Sequence, residues 1–246
     1  MIRWLRDWWQ GAPIVITEEQ WQAAEYPLVF LDRLTADERQ RLRALATELI
    51  ATKKWSAAGG LQLTPAIQLS IALQACLPIL NLGLDWYDDW VGIVVYPGDF
   101  VIPRQIIDES GVVHEFDDPV LGEAWEGGPV LLSWFEDLST IGDISLVIHE
   151  FAHKLDMRNG ETDGMPPLHA NMAPTDWIAA FALAYEDFCR RVDAGEETTI
   201  DPYAAEHPAE FFAVASEVFF EAPDLLRDTY PSVYAQLCLF YRQNPL

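Results

Sequence analysis

Five consecutive residues near the middle of the chain, His149-Glu150-Phe151-Ala152-His153, have the spacing HExxH. On a helix, residues four apart lie one turn above each other, so His149 and His153 can direct two imidazole nitrogens at one cation. Imidazole suits zinc, and a catalytic zinc keeps one position open for water. Glu150 projects beside the pair, placed to accept a proton from that water rather than to bind the metal. A helix with two surface histidines is the competing reading. It fares poorly because Leu146, Val147, Ile148, Phe151, Ala152 and Leu155 surround the motif. Histidines on a buried helix need partners for their polar atoms.

A third protein ligand is required, and the acidic helix expected at 207–221 is the place to look. Glu210, Glu217 and Glu221 stand there among phenylalanines and alanines. Glu210 and Glu217 share one helical face, where an ionised carboxylate is costly unless a cation or donor meets it. One can bind the metal while the other braces a ligand, and spacing does not choose between them. Glu221 fits solvent equally well. Tyr203, just before this helix, either packs or donates to the oxyanion of a tetrahedral intermediate. Asp156, three residues past His153, either accepts a proton from a ligand histidine or ends the helix.

The elements that must position these residues follow from local patterns. The active-site helix spans 144–158 and stops by Asn159-Gly160. Helices are predicted at 35–52, where Thr35 and Glu38 form a capping box, and at 64–76, with Thr64 as cap and Pro65 in the first turn. Others are expected at 175–193 and 231–242. Strands are predicted at 91–97, at 100–107 and 111–116 around a turn at Asp108-Glu109-Ser110-Gly111, and at 128–134. The last, GPVLLSW, is either the edge strand beside the cleft, open to pairing with an extended peptide, or an interior strand. Helices, then strands, then helices predict an α+β fold with a mixed sheet rather than alternating βαβ units. The expectation is one domain over 1–246, with an N-terminal helical part at 1–88 and a catalytic core at 89–246.

Composition narrows the function further. The chain has 246 residues, and 39 acidic against 15 basic side chains give a formal net charge of −24. Direct nucleic-acid binding is therefore not expected, because it requires a basic face. An acidic surface keeps the protein dispersed, and it can also draw in a peptide's free amine. Cys76, Cys189 and Cys238 are far apart and suit a reducing cytosol. The start MIRWLRDWWQGAPIVI is interrupted by Asp7, Gln10 and Pro13, so neither a signal peptide nor a membrane span is expected. Its tryptophans are expected to pack on the domain or a partner.

Several long blocks together carry a family resemblance. CLPILNLGLDW (76–86), VVYP (94–97), GPVLLSW (128–134), IHEFAHKLDMRNG (148–160), IDPYAAEHPAEFFAVASEVFF (200–220) and YPSVYAQLCLFYRQNPL (230–246) closely resemble the Mlc titration factor A family of bacterial zinc peptidases. The catalytic part of that family is similar to anthrax lethal factor. The resemblance implies a zincin-like core holding one Zn²⁺ ion through His149, His153 and Glu210. It implies Glu150 as general base, Tyr203 as transition-state stabiliser, aminopeptidase-type activity and a cytoplasmic setting. It further implies binding to the repressor Mlc, a link to glucose phosphotransferase control. The alternative is a regulatory protein-binding module with vestigial peptidase activity. Segments 104–127 and 161–175 lie outside these motifs, so the resemblance does not extend to substrate preference.

Overall fold

The computed structural model of the chain describes residues 15–107, 113–135 and 146–246. The tryptophans of the first fourteen residues, the predicted Asp108–Gly111 turn and positions 144–145 of the predicted helix lie outside this set. Helix α1 spans Glu18–Glu25 and α2 spans Ala36–Thr52. The α2 capping box forms as expected: Thr35 accepts from the Glu38 amide, and Glu38 reaches back to the Thr35 amide. Helix α3, Pro65–Cys76, is capped by Thr64 with proline in its first turn. Helix α4 (Leu146–Asp156) carries HExxH, and α5 (Pro174–Asp193), α6 (Pro208–Glu221), α7 (Pro223–Thr229) and α8 (Pro231–Tyr241) follow.

Six strands are described: β1 Lys54–Ala57, β2 Gly92–Tyr96, β3 Phe100–Ile107, β4 Val113–Val120, β5 Gly122–Ala124 and β6 Val130–Ser133. Four of them form a mixed sheet in the order β1-β2-β6-β5, with β1, β2 and β6 parallel and β5 antiparallel to β6. Strands β3 and β4 make a separate antiparallel ribbon, from Phe100 opposite Val120 to Ile107 opposite Val113.

The structure decides between two stated alternatives and corrects one expectation. GPVLLSW is interior: β6 pairs with β2 on one side and β5 on the other. The outer strand beside the active-site helix is β5, too short to announce itself by alternation. The N-terminal part is not purely helical either, because β1 belongs to the central sheet. Its parallel pairing with β2, with α3 between them, is a βαβ crossover inside an otherwise α+β order.

One cluster of buried apolar side chains runs from Trp21 to Tyr241. Its C-terminal part is an aromatic lattice, in which Trp177 stacks on Phe181 at 4.3 Å and meets Phe240 edge-on at 5.6 Å. Helix α4 crosses this core with every residue buried from Val147 to Asp156. Polar ties close the structure, including Arg33 donating to the Phe220 carbonyl at 2.9 Å and Gln243 to that of Leu77 at 2.8 Å.

Candidate metal centre

Helix α4 lies between the strand edge and α6, so its two polar faces look in different directions. On the α6 side, three ligand-type atoms converge. His149 Nε2 stands 3.1 Å from His153 Nε2, and Glu210 Oε2 lies 3.0 Å from the first and 3.2 Å from the second. A tetrahedral zinc with bonds of about 2.0–2.2 Å would separate its ligand atoms by about 3.3–3.6 Å. The observed triangle is a few tenths of an ångström tighter, within the adjustment these side chains can make.

The chemistry of the donor set tests the same fit. His149 Nδ1 lies 2.5 Å from Glu217 Oε1. With Nδ1–H donating to that carboxylate, Nε2 presents its lone pair to the triangle. Two imidazole lone pairs and a carboxylate oxygen cannot share so small a space without a positive charge among them. The protonation balance agrees. Burial disfavours charge on both Glu210 and His149. Their mutual hydrogen bond nevertheless holds the Glu210 carboxyl well below the usual range, with help from His153, and raises His149 well above its ordinary value, with help from Glu217. Both shifts favour a proton on His149 beside an ionised Glu210, so this pair can carry one positive charge. Among the described residues, His149, His153 and Glu210 form the group whose ligand atoms lie close enough to hold a metal ion.

Glu217, buried at 3% exposure, is raised by that burial, against the pull of His149. Both glutamates left open by spacing therefore touch His149, one at each ring nitrogen.

On the strand side, Glu150 points at β5 rather than at the triangle's far edge. A Cβ at Gly122 would sit 2.4 Å from Glu150 Oε1 and 2.8 Å from its Cγ and Cδ, so any side chain there would push the Glu150 carboxyl aside. Burial pushes the Glu150 carboxyl up to about 8; His149 opposes the shift and Glu210, Glu123 and Glu217 add to it. Its Oε2 is buried without a hydrogen-bond partner. One turn on, Lys154 Nζ donates to the carbonyls of Trp125 at 2.6 Å and Gly128 at 3.2 Å. These lie at the turn between β5 and β6, so Lys154 anchors that hairpin to α4. Gly122 and Lys154 escaped the sequence reading. Lys154 lies within IHEFAHKLDMRNG, and its anchoring role depends on where β5 lies.

Tyr203 lies on a short 3-10 turn, Pro202–Ala205, whose start is capped by Asp201 accepting from the Tyr203 amide at 2.9 Å. Its ring is 6.1 Å from that of His149, and at 46% exposure it faces the cleft. Asp156 is completely buried; its Oδ2 accepts from the Gly164 amide at 2.8 Å. Asp156 Oδ1 and His153 Nδ1 are each buried without a hydrogen-bond partner. Burial pushes Asp156 up to about 7, against the Gly164 amide and His153. The cleft has a volume of about 730 Å³, with β5 on one wall and Tyr203, Glu206 and Glu210 on the other.

Such a donor set, at the floor of a cleft beside a strand edge, belongs to the class of metallopeptidases. The chain matches the family model described as glucose-regulated metallo-peptidase M90 over residues 2–242, and it belongs to that family. Over its whole length it is 39% identical to Mlc titration factor A of Yersinia pestis (strain Pestoides F), covering 92% of that protein. The same identity and coverage hold for Mlc titration factor A of Yersinia pseudotuberculosis serotypes O:1b and O:3. Among the described residues, no helix is long and apolar enough to cross a membrane.

Proposed function

We propose that the chain is a zinc-dependent peptidase of aminopeptidase type, working as one zincin-like catalytic unit over its whole length. The observation that carries this reading is the 3.0–3.2 Å triangle of His149, His153 and Glu210 with buried Glu150 beside it. Those three side chains hold one Zn²⁺ ion. When bound, zinc supplies Lewis acidity, bringing the pKa of water at the centre towards neutrality. Glu150, kept ionised by the cation in the triangle, takes the proton as water attacks the scissile carbonyl, then delivers it to the leaving amine as the C–N bond breaks. The Tyr203 hydroxyl donates to the developing oxyanion. Glu217 fixes the His149 tautomer, and buried Asp156 braces the end of the helix carrying His153.

An extended peptide would pair through its main chain with the outer edge of β5, which no other strand occupies among the described residues. Glu123, Asp201 and Glu206 line the cleft, and their field favours a substrate with a free amine. The relatives' name, Mlc titration factor A, supports a second proposed role, binding of an Mlc-like partner, which the family resemblance makes a transcriptional repressor. Three widely spaced cysteines support a cytoplasmic setting for both roles.

Glu150→Gln separates chemistry from binding. It should retain zinc at parent affinity yet lose turnover of aminoacyl and peptide substrates by at least about a hundredfold. Cleavage at the parent rate would overturn the mechanism. Repressor capture that persists in Glu150→Gln, with no substrate cleaved by the zinc-loaded parent, would favour the binding role alone.

A further inference from the structure

Gly164 lies in the segment between α4 and α5, and three helices meet on it, two of which carry residues of the proposed centre. Its amide donates to Asp156 Oδ2 at 2.8 Å, at the end of the helix that carries His153. Its carbonyl accepts from Trp177 Nε1 at 3.1 Å, on α5. Its backbone φ of +81° lies in the left-handed region. A Cβ at this position would stand 2.5 Å from the Pro208 carbonyl oxygen and 3.0 Å from its carbonyl carbon.

That last contact has a direct link to metal binding. Pro208 is the first residue of α6, and Glu210 is the third. The obstructing atom belongs to backbone within the helix ladder, so it cannot swing aside as a flexible side chain would. Opening 2.5 Å to even 3.0 Å moves the start of α6 by about 0.5 Å, whereas metal–ligand distances tolerate about 0.2 Å.

We propose that Gly164 is a positioning residue for the third metal ligand. Its missing side chain lets the start of α6 approach α4 closely enough for Glu210 to complete the triangle. Asp156 and Trp177 hold the glycine in place from either side. The proposal rests on the reading of His149, His153 and Glu210 as a metal site.

Gly160 supplies an internal control. It lies in the same segment with φ +91°, but a Cβ there would meet nothing within 4 Å. Alanine at 160 therefore introduces backbone strain alone, and alanine at 164 adds displacement of α6. Zinc affinity is measured by competition with a chromophoric chelator for the parent, Gly160→Ala and Gly164→Ala, alongside melting of each metal-free protein. Gly164→Ala is expected to bind zinc at least about tenfold more weakly, with Gly160→Ala within about twofold of the parent. Equal affinities in all three, or equal losses in both variants, would overturn the proposal. If Gly164→Ala does not fold, Trp177→Phe removes one restraint on the glycine and keeps an aromatic ring. It should weaken zinc binding severalfold, and unchanged affinity would sink the idea. A parent that binds no zinc would instead overturn the metal-site reading, and this proposal with it.

Discussion

The two walls of the cleft are built on different principles. The helical wall, α4 against α6, is made of side chains whose polar atoms answer one another: Glu217 to His149 Nδ1, and Glu210 to both Nε2 atoms. The strand wall, β5 with its turn into β6, is made of backbone. It touches α4 through a glycine laid against Glu150 and through two carbonyls gripped by Lys154. The helical wall assembles charge for a cation. The strand wall sets the place of Glu150, the proposed base, and leaves main-chain groups for a partner. Perturbing one should therefore change metal binding and perturbing the other turnover.

The largest expected break in this division is Glu210→Ala. It removes the proposed third ligand from the triangle and should weaken zinc binding by at least about a hundredfold in chelator competition. Glu217→Gln keeps the shape but replaces a charged acceptor at His149 Nδ1 with an amide. Zinc affinity is expected to fall by about tenfold, less than for Glu210→Ala, since the imidazole stays in place but becomes less basic. Affinity unchanged in Glu217→Gln would mean that the contact only fills space.

The strand wall should respond in the opposite sense. Gly122→Ala forces the Glu150 carboxylate away from its seat and leaves the three ligand atoms alone. Turnover should drop by about tenfold, since misplacing the proposed base by about 1 Å is costly, while zinc affinity stays within about twofold. A parallel loss of zinc would show that the two walls are not separable.

The same contrast explains how far the sequence could be read. His149, Glu150 and His153 were legible because a helix converts spacing into direction. Glu210 and Glu217 were legible as a pair but not individually. Both occupy one face of α6, and the structure sends them to opposite nitrogens of the same ring. The capped helices α2 and α3 were plain from Thr35, Glu38, Thr64 and Pro65, whose signals are local. Helix α7 was missed, although Pro223 in its first turn is such a signal, because its seven residues are too few for periodicity. Strands β2, β3, β4 and β6 were legible as strands, whereas β1, β5 and the sheet order were not. The burial of β1 does not alternate, β5 has three residues, and whether β6 is interior depends on strands that pair with it from distant segments. Gly122 and Gly164 carry no local mark at all, since what each must avoid is brought there by tertiary packing.

Far from both walls, α1 and α2 provide the smallest test, one that should leave the site untouched. Glu25 is nearly buried, and its carboxylate receives Arg39 Nη1 at 2.9 Å and Arg43 Nε at 2.6 Å. Burial alone would raise its pKa, but hydrogen bonds from Arg43 and Arg39 bring it below the ordinary value of 4.5. A depressed folded-state value stabilises the protein when the group is ionised. The contribution is complete above the unfolded value of 4.5 and disappears as pH falls through the lower folded one. Glu25→Gln should cost about 1–2 kcal/mol at pH 7, seen as a fall of a few degrees in melting temperature. The gap between parent and variant should close as the pH is taken down through the folded value. Zinc affinity at neutral pH should match the parent's, because no hydrogen bond of this cluster reaches α4 or α6. If Glu25→Gln instead weakened zinc binding, the N-terminal helices would be part of the site's support, and the division between two walls would need a third member.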